Sequence, residues 1–326
     1  MEMQLLDGKY KILRTLGQGG MGRVFLAENI KLGTLWAIKE MQKSKGSGMD
    51  ILVEANMLKK LEHSALPRIF DIFENDECVY IVVDYIEGVS LDKKLCEEGK
   101  FPEETVLDWA RQLCDVLIYL HEFKPNPIIY RDMKPSNIIL TASGKLKLID
   151  FGIAREYKTY TDNDTVYIGT RGYAAPEQYG WGQTTVASDI YSLGVTLYHL
   201  VTGVSPNEPP YEIKPVRYFD KNLSEDVENI IQKCTKQDPK ERYQSVRELL
   251  QEIIKTEEKL KSHNKNWSTD DDFNRNSGKL PTQNFKKLIL TVWGNGEFGC
   301  ELAYTAARLT NYKVLLIDLD LLVPSA

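Results

Sequence analysis

Tyr130-Arg131-Asp132-Met133-Lys134-Pro135-Ser136-Asn137, followed thirteen residues later by Asp150-Phe151-Gly152, gathers four chemically distinct groups in a short span. Asp132 is a carboxylate able to take a hydroxyl proton, and Lys134, two residues on, is a cation able to hold a phosphate. Asn137 and Asp150 offer the hard oxygen donors that Mg²⁺ prefers. A base, a phosphate-neutralising cation and two metal donors in this order are the parts that phosphoryl transfer requires.

Upstream, Gly17-Gln18-Gly19-Gly20-Met21-Gly22 is a G-x-G-x-x-G run with Leu16 before it and Val24 and Phe25 after it. In a dinucleotide-binding fold the same run would lead into a helix. Here the apolar and aromatic residues that follow predict strand, tight turn, strand. Glycines let the backbone approach phosphate oxygens and adopt positive φ without a Cβ clash.

Trp36-Ala37-Ile38-Lys39 reads as an apolar strand ending in one cation. The segment from Asp50 to Leu61 predicts a helix, with Ile51, Glu54, Leu58 and Leu61 on one face. A carboxylate on an apolar face needs a partner, because a buried unpaired charge costs several kcal/mol or titrates away. The expectation is that Glu54 pairs with Lys39. Without such a partner Lys39 would be an ordinary solvated strand end.

These motifs, in this order, resemble the protein kinase family, and Lys134 with Pro135 after it resembles the Ser/Thr branch in particular. The resemblance implies an α+β, bilobal protein kinase fold: a small β-rich lobe with one helix, about residues 10–87, and a large helical lobe, about 88–261. It implies Mg·ATP as the phosphoryl donor, with Mn²⁺ as a possible substitute for Mg²⁺, and Ser/Thr hydroxyls of proteins as acceptors. Asp132, Lys134, Asn137, Lys39 and Glu54 become the catalytic set, and Asn137 and Asp150 the metal ligands. The glycine loop contributes Leu16, Gly17, Gln18, Gly19, Gly20 and Gly22 to ATP binding, with Lys39 on the α- and β-phosphates. Tyr80-Ile81-Val82-Val83 reads as a buried strand. After it, backbone groups of Asp84 and Ile86 would meet the adenine edge, Val83 would be the gatekeeper, and Val24, Ala37 and Ile139 would sandwich the ring. The same residues would also serve as plain core.

Further resemblance lies in Gly169-Thr170-Arg171-Gly172-Tyr173-Ala174-Ala175-Pro176-Glu177, where Thr170 is placed to select a Ser/Thr acceptor beside Asp132 and Lys134. Asp189 is expected to hold the catalytic loop by its amides, and Arg242 to pair with Glu177. Between Gly152 and Gly169, Thr159, Thr161 and Thr165 are candidates for activation-loop autophosphorylation, since Arg131 can pair with a phosphate. One departure is Tyr130, where the family usually has His; an aromatic ring can take that packing role beneath Phe151. A contrasting reading is a pseudokinase-like scaffold that recruits a partner through its C-terminal tail. The full set of lysine, aspartates and asparagine argues against it.

The chain has 326 residues, 42% of them hydrophobic, and a formal charge of −6 with scattered basic residues. That composition does not indicate an electrostatic nucleic-acid surface, and no nucleic-acid partner is expected. No apolar run approaches the ~20 residues of a membrane helix, and the first residues lack a signal peptide's pattern. The five cysteines, Cys78, Cys96, Cys114, Cys234 and Cys300, are widely spaced, with no metal or disulfide pattern. The expected location is cytoplasmic. Helices are anticipated over Glu103–Leu120 and Ile190–Val201, near Ser224, and after Ser245, whose hydroxyl and Glu248 form a capping-box pattern.

Residues 262–285 turn to Asn, Asp, Ser, Lys and Gly and read as a linker. Beyond it, residues 286–326 predict one β-α-β unit around the turn Gly294-Asn295-Gly296-Glu297-Phe298-Gly299. This piece resembles the opening of the deviant P-loop ATPases that position septa and partition chromosomes. It departs at Asn295, Cys300 and Glu301, where that family's cations and hydroxyl would stand. One such unit is too small to close a core, so it is expected to be the first part of a longer domain or a docking piece.

Overall fold

The computed structural model describes residues 5–19, 22–43, 55, 58–150, 155–156, 170–179, 182–208 and 212–266. The chain divides into Met1–Thr269 and Asp270–Ala326. The expected β-α-β unit of residues 286–326 therefore lies outside the described residues, as does most of the expected linker.

Alternating apolar residues build an antiparallel sheet from β1 (Leu5–Leu6), β2 (Tyr10–Gly19), β3 (Gly22–Asn29), β4 (Thr34–Gln42), β5 (Ile69–Glu74) and β6 (Cys78–Asp84). Its spatial order is β1-β2-β3-β4-β6-β5. The glycine run forms the anticipated hairpin: Gly17 lies opposite Val24, Gln18 opposite Arg23 and Gly19 opposite Gly22. Gly20 and Met21, at its tip, are outside the described residues. Gly22 has φ 131°, and a Cβ there would sit 1.8 Å from the carbonyl oxygen of Glu40, so only glycine fits.

Period-2 alternation splits this sheet into two faces. Tyr10, Ala27, Ile38, Cys78, Tyr80 and Val82 bury one face as a small core. Val24 opposite Lys39, and Ala37 opposite Val83, share the other. Of the helix expected over 50–61, residues 55 and 58–61 are described: Ala55 and Leu58 are helical and buried, Lys59 N–H donates to the Ala55 carbonyl at 3.0 Å, and residues 59–60 form a turn that leads out of the helix to Leu61. Glu54 itself is outside the described residues.

The rest is mainly helical. After β7 (Val89–Ser90) come α1 (Leu91–Glu98), α2 (Glu103–His121), β8 (Ile128–Ile129), β9 (Ile138–Leu140), β10 (Leu146–Leu148) and β11 (Arg155–Glu156). Then follow α3 (Val186–Thr202), α4 (Glu225–Cys234) and α5 (Val246–Asn266). Helix α2 carries the anticipated stripe, Val106, Ala110, Leu113, Leu117 and Leu120, all buried in the large core. Each fully buried Val or Leu side chain of this stripe contributes roughly 1.5–3 kcal/mol.

Three helix ends differ from expectation for local reasons. Helix α3 starts four residues before Ile190 because Thr185 and Ser188 form a reciprocal capping box. Ser245 Oγ accepts from the Glu248 amide at 3.2 Å as anticipated, but the Glu248 carboxylate takes its return bond from the Gln244 amide at 3.0 Å. Helix α5 continues to Asn266, past the domain end expected at Lys261. The sequence of its last residues, Lys261 to Asn266, is polar and gave no apolar stripe by which to detect them.

Candidate active site

The loop 130–137 runs from β8 to the one-turn helix Pro135–Asn137 and β9. Its backbone is gripped by Asp189, a fully buried carboxylate in the first turn of α3. Asp189 accepts from the Tyr130 amide at 2.8 Å and the Arg131 amide at 2.7 Å, and lies 2.7 Å from His121 Nε2 at the end of α2. Arg131 sits at φ 71°, a region that costs a non-glycine residue about 1–3 kcal/mol unless its surroundings impose it. The surroundings do: Asp189 holds its amide, and Gln178 Nε2 donates to its carbonyl at 2.9 Å. Gln178 is itself fixed by the Ala175 amide on its Oε1 at 3.0 Å. Neither His121 nor Gln178 was anticipated from sequence.

On this strained loop, Asp132 becomes the hub. Lys134 Nζ lies 2.7 Å from its Oδ2, Asn137 Nδ2 donates to the same oxygen at 2.8 Å, and the Thr170 hydroxyl donates to its Oδ1 at 2.8 Å. Lys134 also donates to the Thr170 hydroxyl, at 2.6 Å. The sequence-predicted residues Asp132, Lys134, Asn137 and Thr170 thus meet within direct hydrogen-bond reach. One oxygen of Asp132 already receives a hydroxyl hydrogen bond of the kind an acceptor side chain would make.

Asp150 follows β10 and is tied to the loop by the Ile149 amide, which donates to the Asn137 carbonyl at 3.0 Å. Lys39, on β4, reaches across to Asp150 Oδ1 at 2.6 Å. The partner expected for Lys39, Glu54, is outside the described residues; among those described, Lys39 pairs with Asp150. Because Asn137 spends both described amide N–H bonds on Asp132, its amide oxygen is the atom left to act as a ligand. An amide oxygen and a carboxylate are a donor set that suits Mg²⁺, which takes few protein ligands and keeps waters and phosphate oxygens for the rest. Among the described residues there is no cluster of three His, Cys, Asp or Glu side chains to compete as a metal centre.

Tyr130 is fully buried, and burial together with the nearby carboxylates of Asp150, Asp132 and Asp189 pushes its phenol far above its ordinary range. It is a neutral packing group at every working pH. Phe151, its expected neighbour, is outside the described residues, as are Thr159, Thr161 and Thr165.

Val24, Ala37 and Val83 line the same side of the small-lobe sheet as Lys39 and are half-buried, while Ile139 is half-buried on β9. Leu16, on β2, is exposed. The Asp84 amide donates to the Arg68 carbonyl at 3.1 Å, so the backbone group it can offer an adenine edge is its carbonyl. Ile86 follows in the irregular stretch before β7.

The family profile described as protein kinase domain matches residues 10–255. The chain is 32% identical over 264 residues to serine/threonine-protein kinase PrkC of Bacillus subtilis, covering 76% of this chain and 40% of that protein. It is 32% identical over 272 residues to serine/threonine-protein kinase PknA of Nostoc, covering 77% and 48%. To serine/threonine-protein kinase PknB of Mycobacterium leprae it is 29% identical over 271 residues, covering 77% and 43%. The matched part is thus less than half the length of each of these relatives.

Proposed function

We propose, from the premise that this chain belongs to the protein kinase family, that it is a Ser/Thr protein kinase transferring the γ-phosphoryl of ATP to protein hydroxyls. The observation that carries this reading is the Asp132 carboxylate, with Lys134 at 2.7 Å and a hydroxyl at 2.8 Å on its two oxygens. The relatives, named as serine/threonine-protein kinases, support Ser/Thr selectivity.

Asp132 orients the acceptor hydroxyl and takes its proton as the new O–P bond forms. Lys134 neutralises charge on the transferring group, and Lys39 holds the phosphates of ATP in line, kept in place meanwhile by Asp150. Thr170, bonded to both Asp132 and Lys134, shapes the space that a Ser or Thr hydroxyl enters. Asn137 and Asp150 would hold Mg²⁺, which when bound supplies charge neutralisation at the phosphate oxygens; Mn²⁺ is an alternative ion. Glycines 17, 19, 20 and 22 allow the hairpin backbone to lie over the phosphates, and Val24, Ala37, Val83 and Ile139 form the apolar walls for adenine. Thr159, Thr161 and Thr165 are the proposed autophosphorylation sites.

A reducing, cytoplasmic setting fits the free thiols of Cys78, Cys96, Cys114 and Cys234. No helix among the described residues is long and apolar enough to cross a membrane. Residues 286–326, with Asn295, Cys300 and Glu301 in place of cation and hydroxyl, have no part in the transfer in this reading.

Purified protein given γ-labelled ATP, Mg²⁺ and casein should label serine and threonine, identified by phosphoamino-acid analysis. Label on tyrosine alone would refute the proposed selectivity.

A further inference from the structure

Outside the reacting groups, a hydrogen bond between buried Tyr173 and half-buried His199 joins helix α3 to the turn that carries Thr170. The Tyr173 hydroxyl lies 2.6 Å from His199 Nδ1, near the C-terminal end of α3. Tyr173 is 5% exposed and packs with Ala175, Tyr191 and Val195. Burial pushes the imidazole down and the phenol up from their ordinary values, so both are neutral at physiological pH. The bond forms in either imidazole tautomer, the phenol donating to Nδ1 or accepting from it.

The backbone carries this link to the reacting groups. The amides of Tyr173 and Ala174 both donate to the Thr170 carbonyl at 3.0 Å. Between them and Thr170, Gly172 has φ 84°, and a Cβ there would lie 2.4 Å from the carbonyl oxygen of Pro206, just beyond α3. The turn 170–174 is therefore seated against the end of α3 at two points, by close approach at Gly172 and by a hydrogen bond at Tyr173. Its first residue supplies the hydroxyl that bridges Asp132 and Lys134.

We propose that Tyr173 and His199 are positioning residues for the transfer, a proposal that rests on the kinase reading above. Their hydrogen bond sets where the Thr170 hydroxyl stands, and so how Asp132 and Lys134 face an acceptor. Among the described hydrogen bonds, the two side chains pair with each other and not with Asp132, Lys134 or Lys39, which separates their effect from that of Lys39 or the glycine loop.

The experiment is steady-state kinetics with casein and ATP on the full chain, with a thermal midpoint for every variant. Tyr173→Phe removes only a hydroxyl and keeps the packing. It should lower kcat about tenfold, the factor that one lost hydrogen bond of positioning is worth, and leave KM for ATP unchanged. His199→Leu should give the same loss, and Tyr173→Phe/His199→Leu no more than either alone. His199→Asn, whose amide stands where Nδ1 stood, should recover to within about twofold of the parent, since an amide can make the same bond. If His199→Leu fails to fold, Tyr173→Phe decides. Parent-like kcat in Tyr173→Phe while Asp132→Asn is inactive would overturn the positioning role and leave the kinase reading intact. A rise in KM for ATP matching the loss of kcat would also overturn it, by showing general distortion. A parent without transfer would remove the kinase reading and this proposal with it.

Discussion

Asp150→Asn is expected to lower phosphoryl transfer by about three orders of magnitude or more while leaving the thermal midpoint near that of the parent. Asp150 is half-exposed at the end of β10, so little packing depends on it. Its carboxylate has two electrostatic duties: it faces Lys39 at 2.6 Å, and with the Asn137 amide oxygen it forms the proposed Mg²⁺ donor pair. Losing a metal ligand removes several kcal/mol of transition-state charge stabilisation, and each 1.4 kcal/mol is about tenfold in rate. Lys39→Met should show a loss of similar kind by removing the other member of the pair. Activity close to the parent in Asp150→Asn, measured with labelled ATP beside a melting curve, would show that this carboxylate is only a salt-bridge partner.

The second large effect concerns stability. Arg242 is almost wholly buried and makes a bidentate pair with Glu177, at 2.7 and 3.0 Å, while also donating to the carbonyls of Lys236, Gln237 and Ala187. Its guanidinium also lies 4.8 Å from the centre of the Tyr191 ring. Arg242→Met should cost about 3–5 kcal/mol, because it strands a buried carboxylate, and should lower the thermal midpoint by roughly 10 °C for a domain of this size.

The pH dependence distinguishes this cause from a simple cavity. Burial raises the Glu177 pKa, but the hydrogen bonds from Arg242 and Ser188 outweigh it and hold the carboxyl below its ordinary value. A carboxylate with a depressed folded-state pKa contributes stability that is complete above its unfolded pKa and is lost as pH falls through the folded one. In Arg242→Met, burial acts without the arginine and moves the same carboxyl upward. The gap between parent and variant should therefore be widest near neutral pH and narrow as pH falls. A gap that does not change with pH would mean that Glu177 is not the stranded group.

Much of the site was legible because its chemistry is packed into short stretches. Asp132, Lys134 and Asn137 lie within six residues of chain, so their meeting needs only a tight loop and a one-turn helix. The hairpin was equally readable, since the residues after Gly22 alternate as a strand does. The supporting groups were not. His121 reaches Asp189 across 68 positions and Gln178 reaches Arg131 across 47, and neither sits in a periodic or motif-like setting. His199 lies on a helix buried nearly all round, where no polar stripe marks it out. The contact of Lys39 with Asp150 was unread for a related reason. The helix-face argument for Glu54 concerns a residue outside those described, and no periodicity links Lys39 to Asp150, which lies just after β10 and 111 positions away.

The measurement that tests the kinase reading most directly compares ATP binding with single-turnover transfer in the same preparations of parent and Asp132→Asn. The two should bind Mg·ATP alike, since in this reading Asp132 serves the acceptor hydroxyl rather than the nucleotide. Transfer to casein serine and threonine should be fast in the parent and at least about a hundredfold slower in the variant, the range of a lost general base. A parent that binds ATP and transfers nothing, or an Asp132→Asn protein that transfers as fast as the parent, would contradict it.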